Sequence, residues 1–136
     1  MAAYFKLLLN RLSVKLSIHI PINTCGRGLK IMHTGPILIN GKAKCGDNLS
    51  VHINTSIVAH GATGGVPKIG DNCVIGVGAV ILGDVHIANN IAVGANAVVN
   101  KSFEEENIAI AGVPAKKISN NGRLTWSGEK KYDSSK

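Results

Sequence analysis

Five histidines are the residues of this chain best suited to proton-transfer chemistry. Histidine changes its charge near neutral pH, so it can take a proton from a hydroxyl group and return it within one reaction. His33 lies in an irregular stretch of the sequence, where a side chain can be aimed away from a regular wall. We therefore take His33 as the first candidate for a general base. The others are His19, His52, His60 and His86.

The irregularity is visible because most of the chain follows a period of six residues. The first position of each six is apolar with one exception and is mostly β-branched; these positions are Ile39, Cys45, Val51, Ile57, Thr63, Ile69, Ile75, Ile81, Ile87, Val93 and Val99. A helix would place apolar residues three and four apart, and a two-sided strand would alternate them. Six residues fit one short strand plus one corner, and three such units make one triangular coil of a stacked solenoid.

Two breaks interrupt this period. Ile31 and Ile39 are eight residues apart, so the chain slips by two residues around 32–36, where a Gly-Pro pair suits a turn. From His60 to Pro67 the phase is kept but the apolar pattern is lost, which predicts a small loop bulging from the wall. We expect the active site between these two breaks.

The two ends of the chain differ from the repeat. Residues 1–17 predict a short amphipathic helix, with apolar side chains on one side at Phe5, Leu8, Leu9, Leu12 and Leu16. This helix either caps the open end of the coil stack, which we favour, or lies on a membrane surface. Residues 18–118 are predicted to form the repeat domain. Residues 119–136 are predicted to form an irregular polar tail that is partly disordered, especially over 132–136.

Composition restricts the function classes. A length of 136 residues suits one domain, and an aromatic content of 4% requires an aliphatic core. The net charge of +7 is compatible with nucleic-acid binding, but the basic residues are not clustered with aromatics on one repeat face. We therefore expect an anionic small-molecule partner and no nucleic acid. No apolar run is long enough to span a membrane, and no signal peptide is evident, which favours a cytoplasmic protein.

The three cysteines are Cys25, Cys45 and Cys73, an odd number without a short metal-binding spacing. Cys45 and Cys73 occupy repeat positions that are otherwise filled by small or aliphatic residues. We expect both to be buried, free thiols in a reducing compartment.

Several segments resemble the serine O-acetyltransferases of the hexapeptide-repeat acyltransferase superfamily. The run from Cys25 to Gly35, with its Gly-Arg-Gly and His33, is similar to the segment of those enzymes that leads to the catalytic histidine. Further similar segments are Pro67–Asn72, Ile75–Ala79, Ile81–Gly83 and the ending Ala111–Lys116. The resemblance covers about Ile18 to Ile118. It implies an all-β fold, a left-handed parallel β-helix, preceded here by the short N-terminal helix.

The resemblance also implies an activity, the acetyl-CoA-dependent O-acetylation of a hydroxyl group. His33 would take the proton from the acceptor hydroxyl, the alkoxide would attack the thioester of acetyl-CoA, and the histidine would protonate the leaving thiolate. Backbone N–H groups would stabilise the oxyanion. L-serine is the acceptor that the family implies. A sugar or polysaccharide-precursor hydroxyl in surface-polysaccharide synthesis is the alternative, and a non-catalytic β-helix assembly module is a third hypothesis.

Members of this family bind acetyl-CoA in a groove along the coils, between two subunits of a homotrimer. The positions that the resemblance assigns to this groove are Ala59, Val77, Gly78, Gly94, Ala95, Lys116 and Lys117. His52 and His60 are candidates for binding the acceptor in the same cleft, although simple surface corner positions would also explain them. No metal is expected, because His52 and His60 lack the ligand spacing of the zinc-binding β-helical carbonic anhydrases.

The chain departs from the family at the residues that hold the amino acid. The residue before the catalytic histidine is typically Asp in the family and is Met32 here, and Gly65 and Val66 replace an Arg-His pair. The segment that supplies the orienting carboxylate in the family, 17–19, has none here. These differences favour the alternative acceptor and leave His33 without the group that fixes its tautomer in the family.

Overall fold

The computed structural model describes residues 1–123 as one helix followed by a stack of short strands. The elements are α1 (Ala2–Leu16), β1 (Ile18–His19), β2 (Lys30–Ile31), β3 (Ile37–Ile39), β4 (Lys44–Cys45), β5 (Ser50–Val51), β6 (Thr55–Val58), β7 (Lys68–Ile69), β8 (Val74–Ile75), β9 (Val80–Leu82), β10 (His86–Ile87), β11 (Ala92–Val93), β12 (Val98–Val99), β13 (Ala109–Ala111) and β14 (Lys116–Ser119).

Three sheets form the walls of the stack. The five-stranded sheet has the order β1-β3-β6-β9-β12, the three-stranded sheet β10-β7-β4, and the six-stranded sheet β14-β13-β11-β8-β5-β2. Successive strands along most of the chain fall in different sheets, so each coil contributes to all three walls. Every strand pair is parallel except the pair of β13 and β14. The predicted solenoid of parallel coils is therefore confirmed.

The core consists of the repeat positions that the sequence identifies. All first positions of the sixes are buried except Thr63, which lies in an exposed loop. The residues stack in register on their counterparts in the next coil, as in the ladder Ile39, Ile57, Ile81 and Val99. Because β-branched side chains have few rotamers, such ladders pack with little loss of side-chain entropy.

The strand register reveals how both breaks are accommodated. Ile75 pairs with Val93, eighteen residues further on, whereas Ile31 pairs with Val51, twenty residues further on. The predicted two-residue slip before β3 is thus confirmed. Val51 pairs with Ile75, twenty-four residues further on, so the loop after β6 adds one whole repeat without changing the phase.

Helix α1 does not act as a cap. It ends at Ser17, which has a left-handed conformation with φ 56° and ψ 30°, and none of its residues is buried. The apolar side chains of the predicted face, from Phe5 to Leu16, remain 41% to 58% exposed. A cap over the first coil would bury these side chains, so the interpretation that we favoured from the sequence does not hold.

The cysteines are free thiols, and Cys45 and Cys73 are buried as predicted. Cys25 and Cys45 are paired in adjacent coils. A hydrogen bond with Cys45 outweighs burial and lowers the pKa of Cys25 to about 7, while the same hydrogen bond together with burial raises the pKa of Cys45. Burial raises the pKa of Cys73 to about 11, so this thiol is neutral at physiological pH and serves as a packing residue.

The chain returns along the stack after β14. Backbone N–H of Arg123 donates to the Asn90 carbonyl at 2.9 Å, and Gly122 is buried against Asn107 and Asn90. The first part of the predicted irregular tail is therefore packed on the coils. The predicted disorder over 132–136 falls outside the described residues.

Candidate active site

His33 lies in the two-residue slip between β2 and β3. Its side chain is exposed at the corner where the chain leaves the six-stranded sheet for the five-stranded one. The extra residues widen this corner, so the His33 ring stands outside the regular wall. Its ring centroid is 6.5 Å from that of His52, with the two planes inclined by 47°.

His52 follows β5 and lies at the same corner, one coil further along. Its side chain is buried, with only 8% of the residue exposed. Its Nδ1 lies 2.9 Å from the backbone carbonyl oxygen of Ile75, and because a carbonyl only accepts, Nδ1 carries the proton. The Thr55 hydroxyl donates to the His52 carbonyl at 2.8 Å. The ring of His52 thus has a defined orientation and tautomer beside His33.

A groove of about 290 Å³ begins at His52 and runs along the coils towards β13. Its lining includes the small or apolar residues Gly76, Val77, Ala92, Val93, Gly94, Ala95, Ala109 and Ile110, with Ile118 and Asn121 from the C-terminal segment. Gly76 and Gly94 follow β8 and β11 as His52 follows β5, so the three residues occupy one position in successive coils.

Close stacking of the coils explains why glycine occupies this position. A Cβ added to Gly76 would lie 2.8 Å from the Ala95 nitrogen and 2.8 Å from the Val93 oxygen. Both atoms belong to the backbone of the next coil and cannot move away independently. At Gly94, an added Cβ would lie 2.9 Å from the Cβ of Ala111.

The five small or apolar residues predicted to bind the cofactor fall at different places. Val77, Gly94 and Ala95 line the groove next to His52. Gly78 is not part of that lining; it has a φ of +72° and donates its N–H to the Ile53 carbonyl at 3.1 Å, so a turn already accounts for it. Ala59 follows β6, outside the groove.

His60 and Ala59 lie at a different corner, where the chain leaves the five-stranded sheet for the three-stranded one. His60 is exposed. Its Nδ1 accepts hydrogen bonds from the backbone N–H groups of Ala62 and Thr63, each at 3.3 Å. It borders a separate cavity of about 270 Å³. Within one chain, the structure therefore does not bring His60 to His33 and His52.

Lys116 and Lys117 lie on β14, at the last coil, and both are exposed. The Nζ of Lys117 is 2.6 Å from a carboxylate oxygen of Glu105. A phosphate ligand would have to compete with that carboxylate for Lys117. Lys116 has no ion pair among residues 1–123, so it is the better placed of the two to bind an anion.

The C-terminal segment contributes residues that the sequence did not identify. Ile118 and Asn121 line the groove, and the Arg123 guanidinium donates to the Ser50 hydroxyl at 3.2 Å. Ser50 is two residues before His52, so Arg123 brings a positive charge near the histidine corner. No local signal in the sequence indicates these positions, because the contacts join residues about seventy positions apart.

The remaining histidines, His19 and His86, lie outside the groove. His19 is exposed on β1. His86 is exposed on β10 and its Nδ1 is 2.6 Å from a Glu104 carboxylate oxygen. In the part of the chain that the structure describes, no three His, Cys, Asp or Glu side chains are close enough to hold a metal ion. Over the same residues, no helix is long and apolar enough to cross a membrane.

Two imidazoles at the mouth of a narrow, small-residue groove form an arrangement that can transfer protons to and from an elongated ligand. Comparison with known proteins relates the chain to a family of transferases. The bacterial transferase hexapeptide model, which comprises six repeats, matches residues 67–101. Serine acetyltransferase of Staphylococcus epidermidis is 32% identical over 117 residues, covering 85% of this chain and 54% of that protein. The chain is a serine-acetyltransferase-like hexapeptide-repeat protein.

Solved structures extend the relationship to three dimensions. Serine acetyltransferase of Neisseria gonorrhoeae in complex with serine is 35% identical with a TM-score of 0.72, covering 85% of this chain and 47% of that one. Serine acetyltransferase of Brucella abortus in complex with coenzyme A is 32% identical with a TM-score of 0.66, covering 78% and 41%. The predicted left-handed parallel β-helix is confirmed. This serine-acetyltransferase-like chain spans about half the length of the relatives it matches.

Proposed function

We propose that this chain is an O-acetyltransferase that uses acetyl-CoA and transfers the acetyl group to a hydroxyl. The observation that carries the proposal is the position of His33 beside His52 at the mouth of the groove lined by Gly76, Gly94 and Ala95. The relationship to serine acetyltransferases supports the same reaction. No step of this reaction needs a metal ion. We propose a cytoplasmic location, where acetyl-CoA is available.

His33 acts as the general base in this proposal. The imidazole takes the proton of the acceptor hydroxyl, and the alkoxide oxygen attacks the carbonyl carbon of the thioester. The carbon–sulfur bond then breaks, and the imidazolium returns its proton to the CoA thiolate. The exposure of His33 at the widened corner supports this role, because the base must reach both substrates.

Acetyl-CoA lies along the groove, with its thioester at the histidine corner. A pantetheine arm passes Val77, Gly94 and Ala95, where small side chains leave room for contacts with the backbone. The groove runs over successive coils and is lined mostly by small or apolar residues, which suits an elongated ligand. Lys116, at the far end of the stack, is available to a phosphate group.

We further propose that the chain forms a homotrimer with active sites between subunits. One chain presents His33 and His52 at one corner and His60 and Ala59 at another, so contact between two copies would join the two halves. The outer face of the five-stranded sheet supports an interface: Leu38 is 44% exposed, and other apolar residues on this face are only half-buried, namely Val58, Val80, Leu82 and Val98. A neighbouring subunit would cover them.

L-serine is the proposed acceptor, since the structural relatives include a complex with serine. The alternative is a sugar or polysaccharide-precursor hydroxyl. It is favoured by Met32, Gly65 and Val66, which replace charged residues of the family and remove the groups that would hold an amino acid. Arg123 adds a cation near the same corner and would suit an acceptor with an anionic group.

The experiment that tests the proposed function is the release of free thiol from acetyl-CoA, measured with serine and with a panel of sugars as acceptors. Release with any one hydroxyl acceptor supports acetyl transfer and identifies the acceptor class. If the protein binds CoA but releases no thiol with any acceptor, a non-catalytic assembly module becomes the better explanation. If it does not bind CoA at all, the acyltransferase proposal fails.

Substitution of His52 tests whether this residue positions His33. We expect His52→Ala to lower kcat about tenfold, because the ring that packs beside His33 is lost. His52→Asn keeps a side-chain N–H that can reach the Ile75 carbonyl, so it should recover much of that loss with a similar KM. Steady-state kinetics of both variants would provide the comparison, and equal loss in the two variants would contradict a positioning role.

A further inference from the structure

Helix α1 presents an apolar face that nothing in residues 1–123 covers. Its large apolar side chains Tyr4, Phe5, Leu8, Leu9, Leu12 and Leu16 are 41% to 64% exposed. They recur with the spacing of one helix face. The opposite face carries the polar residues Lys6, Asn10 and Ser13, together with the exposed apolar residues Leu7 and Val14. An exposed apolar surface of this size marks a place of interaction.

The charge of the same region is exclusively positive. Lys6, Arg11 and Lys15 are exposed on α1, which has no acidic residue. Residues 1–46 contain seven of the fifteen Lys and Arg residues and none of the eight Asp and Glu residues, so the rest of the chain is balanced in charge. The whole net charge of +7 therefore comes from the helix and the first coils.

The first coils carry further basic side chains, on other walls of the stack than the one that α1 contacts. Arg27, Lys30, Lys42 and Lys44 are all exposed. Arg27 is 3.8 Å from Asp47, yet its side chain remains 96% exposed, so this contact neutralises little of its field. The region that follows α1 thus adds four accessible cations to the three on the helix.

We propose that α1 and the basic first coils bind the surface of an anionic lipid bilayer. The helix has 15 residues, too few to span the hydrocarbon core, so it lies in the interface with its apolar face towards the acyl chains. Lys and Arg side chains reach the anionic headgroups, where each contributes to binding. The basic surface alone would also suit a nucleic acid, but a nucleic acid would leave the six apolar side chains in water.

A second copy of the chain is a weaker match for this surface. Packing α1 against α1 of another copy would bring six cations together without an anion between them. Packing α1 against a different face of a copy remains a distinct outcome of the test below. The membrane proposal does not depend on the acetyl-transfer proposal, because lipid binding is measured without acetyl-CoA.

The test is co-sedimentation of the full chain with lipid vesicles. We expect binding to vesicles of phosphatidylcholine with about one-third phosphatidylglycerol, and much weaker binding to pure phosphatidylcholine. The double variant Lys6→Gln and Lys15→Gln should weaken binding roughly thirtyfold. The matched control, Lys68→Gln and Lys101→Gln, removes the same charge elsewhere and should weaken binding only about twofold.

The apolar contribution is tested with Leu8→Ser and Leu12→Ser, which should abolish binding while circular dichroism shows the β-helix intact. No binding of the wild-type chain to anionic vesicles would overturn the proposal. So would equal effects of the two lysine pairs, or binding to nucleic acid without binding to vesicles. If the serine variant instead lowers the oligomeric state and the wild type ignores vesicles, another copy of the chain covers α1.

Discussion

His33→Ala should lower the rate of acetyl transfer at least about a hundredfold, the usual scale for loss of a general base. The physical reason is that no other described side chain at this corner is an exposed imidazole: His52 is buried, with its Nδ1 proton directed to the Ile75 carbonyl. The loss should fall mainly on kcat, because His33 is not among the residues that line the proposed acetyl-CoA groove. The rate of thiol release at saturating acetyl-CoA measures this loss of kcat.

The matched control for this prediction is His86→Ala. His86 is also an exposed histidine, but it lies on β10 and pairs with Glu104 away from the groove. Its removal should leave turnover within about twofold of the wild type. A His33→Ala variant that retains most of its turnover would show that His33 is not the base and would direct attention to His52.

Gly76→Ala should destabilise the fold by about 3 kcal/mol, a large effect for one methyl group. The added Cβ would lie within 2.8 Å of the backbone of the next coil, and the ladder of hydrogen bonds prevents that coil from moving away. Gly76 itself donates its N–H to the Val93 carbonyl at 2.9 Å. Chemical denaturation measures the change as a lower midpoint of unfolding.

Gly61→Ala is the control for this substitution. Gly61 lies in the exposed loop after β6, and an added Cβ there would have no neighbour within 4 Å. Its effect on unfolding should be within about 0.5 kcal/mol. If the two alanine variants unfold at the same denaturant concentration, the coils are not stacked closely at Gly76, and the steric argument for glycine at this position fails.

The histidine corner offers an answer to the loss of the family's orienting carboxylate. The segment 17–19 has no acidic residue, and none of the described side chains near His33 is a carboxylate in hydrogen-bonding contact with it. His52 packs beside His33 and is itself held by a backbone carbonyl and by the Thr55 contact to its own carbonyl. A ring fixed in this way can restrict the orientation of its neighbour, which is why the alanine and asparagine variants of His52 are informative.

Much of the fold could be predicted because the repeat is a local property of the sequence. Each first position of the repeat, such as Ile57 or Ile81, occupies an equivalent place in its coil. One sequence pattern, repeated in each coil, therefore predicts burial of the side chain at all of these positions. The breaks were equally visible, since a slip of two residues changes the spacing between Ile31 and Ile39. Their consequence for His33, an exposed ring at a widened corner, follows from that slip.

The site was predicted less completely because its parts come from different coils. Val77, Gly94 and Ala95 line the groove, but Ala59 and His60 lie at another corner, and the linear sequence does not indicate which corner a residue occupies. The role of α1 was also misjudged. An amphipathic pattern predicts that one face will be covered, but it does not identify what covers it.

The sequence by itself determined the coil architecture and the position of both breaks, because these depend on a period that local side-chain chemistry enforces. Only the tertiary structure decided which residues meet. The contact of Arg123 with Ser50 and the packing of His52 against the Ile75 carbonyl both join distant parts of the chain. Such contacts depend on the number of residues in each coil and on the path of the chain after the last one, and no short segment encodes either.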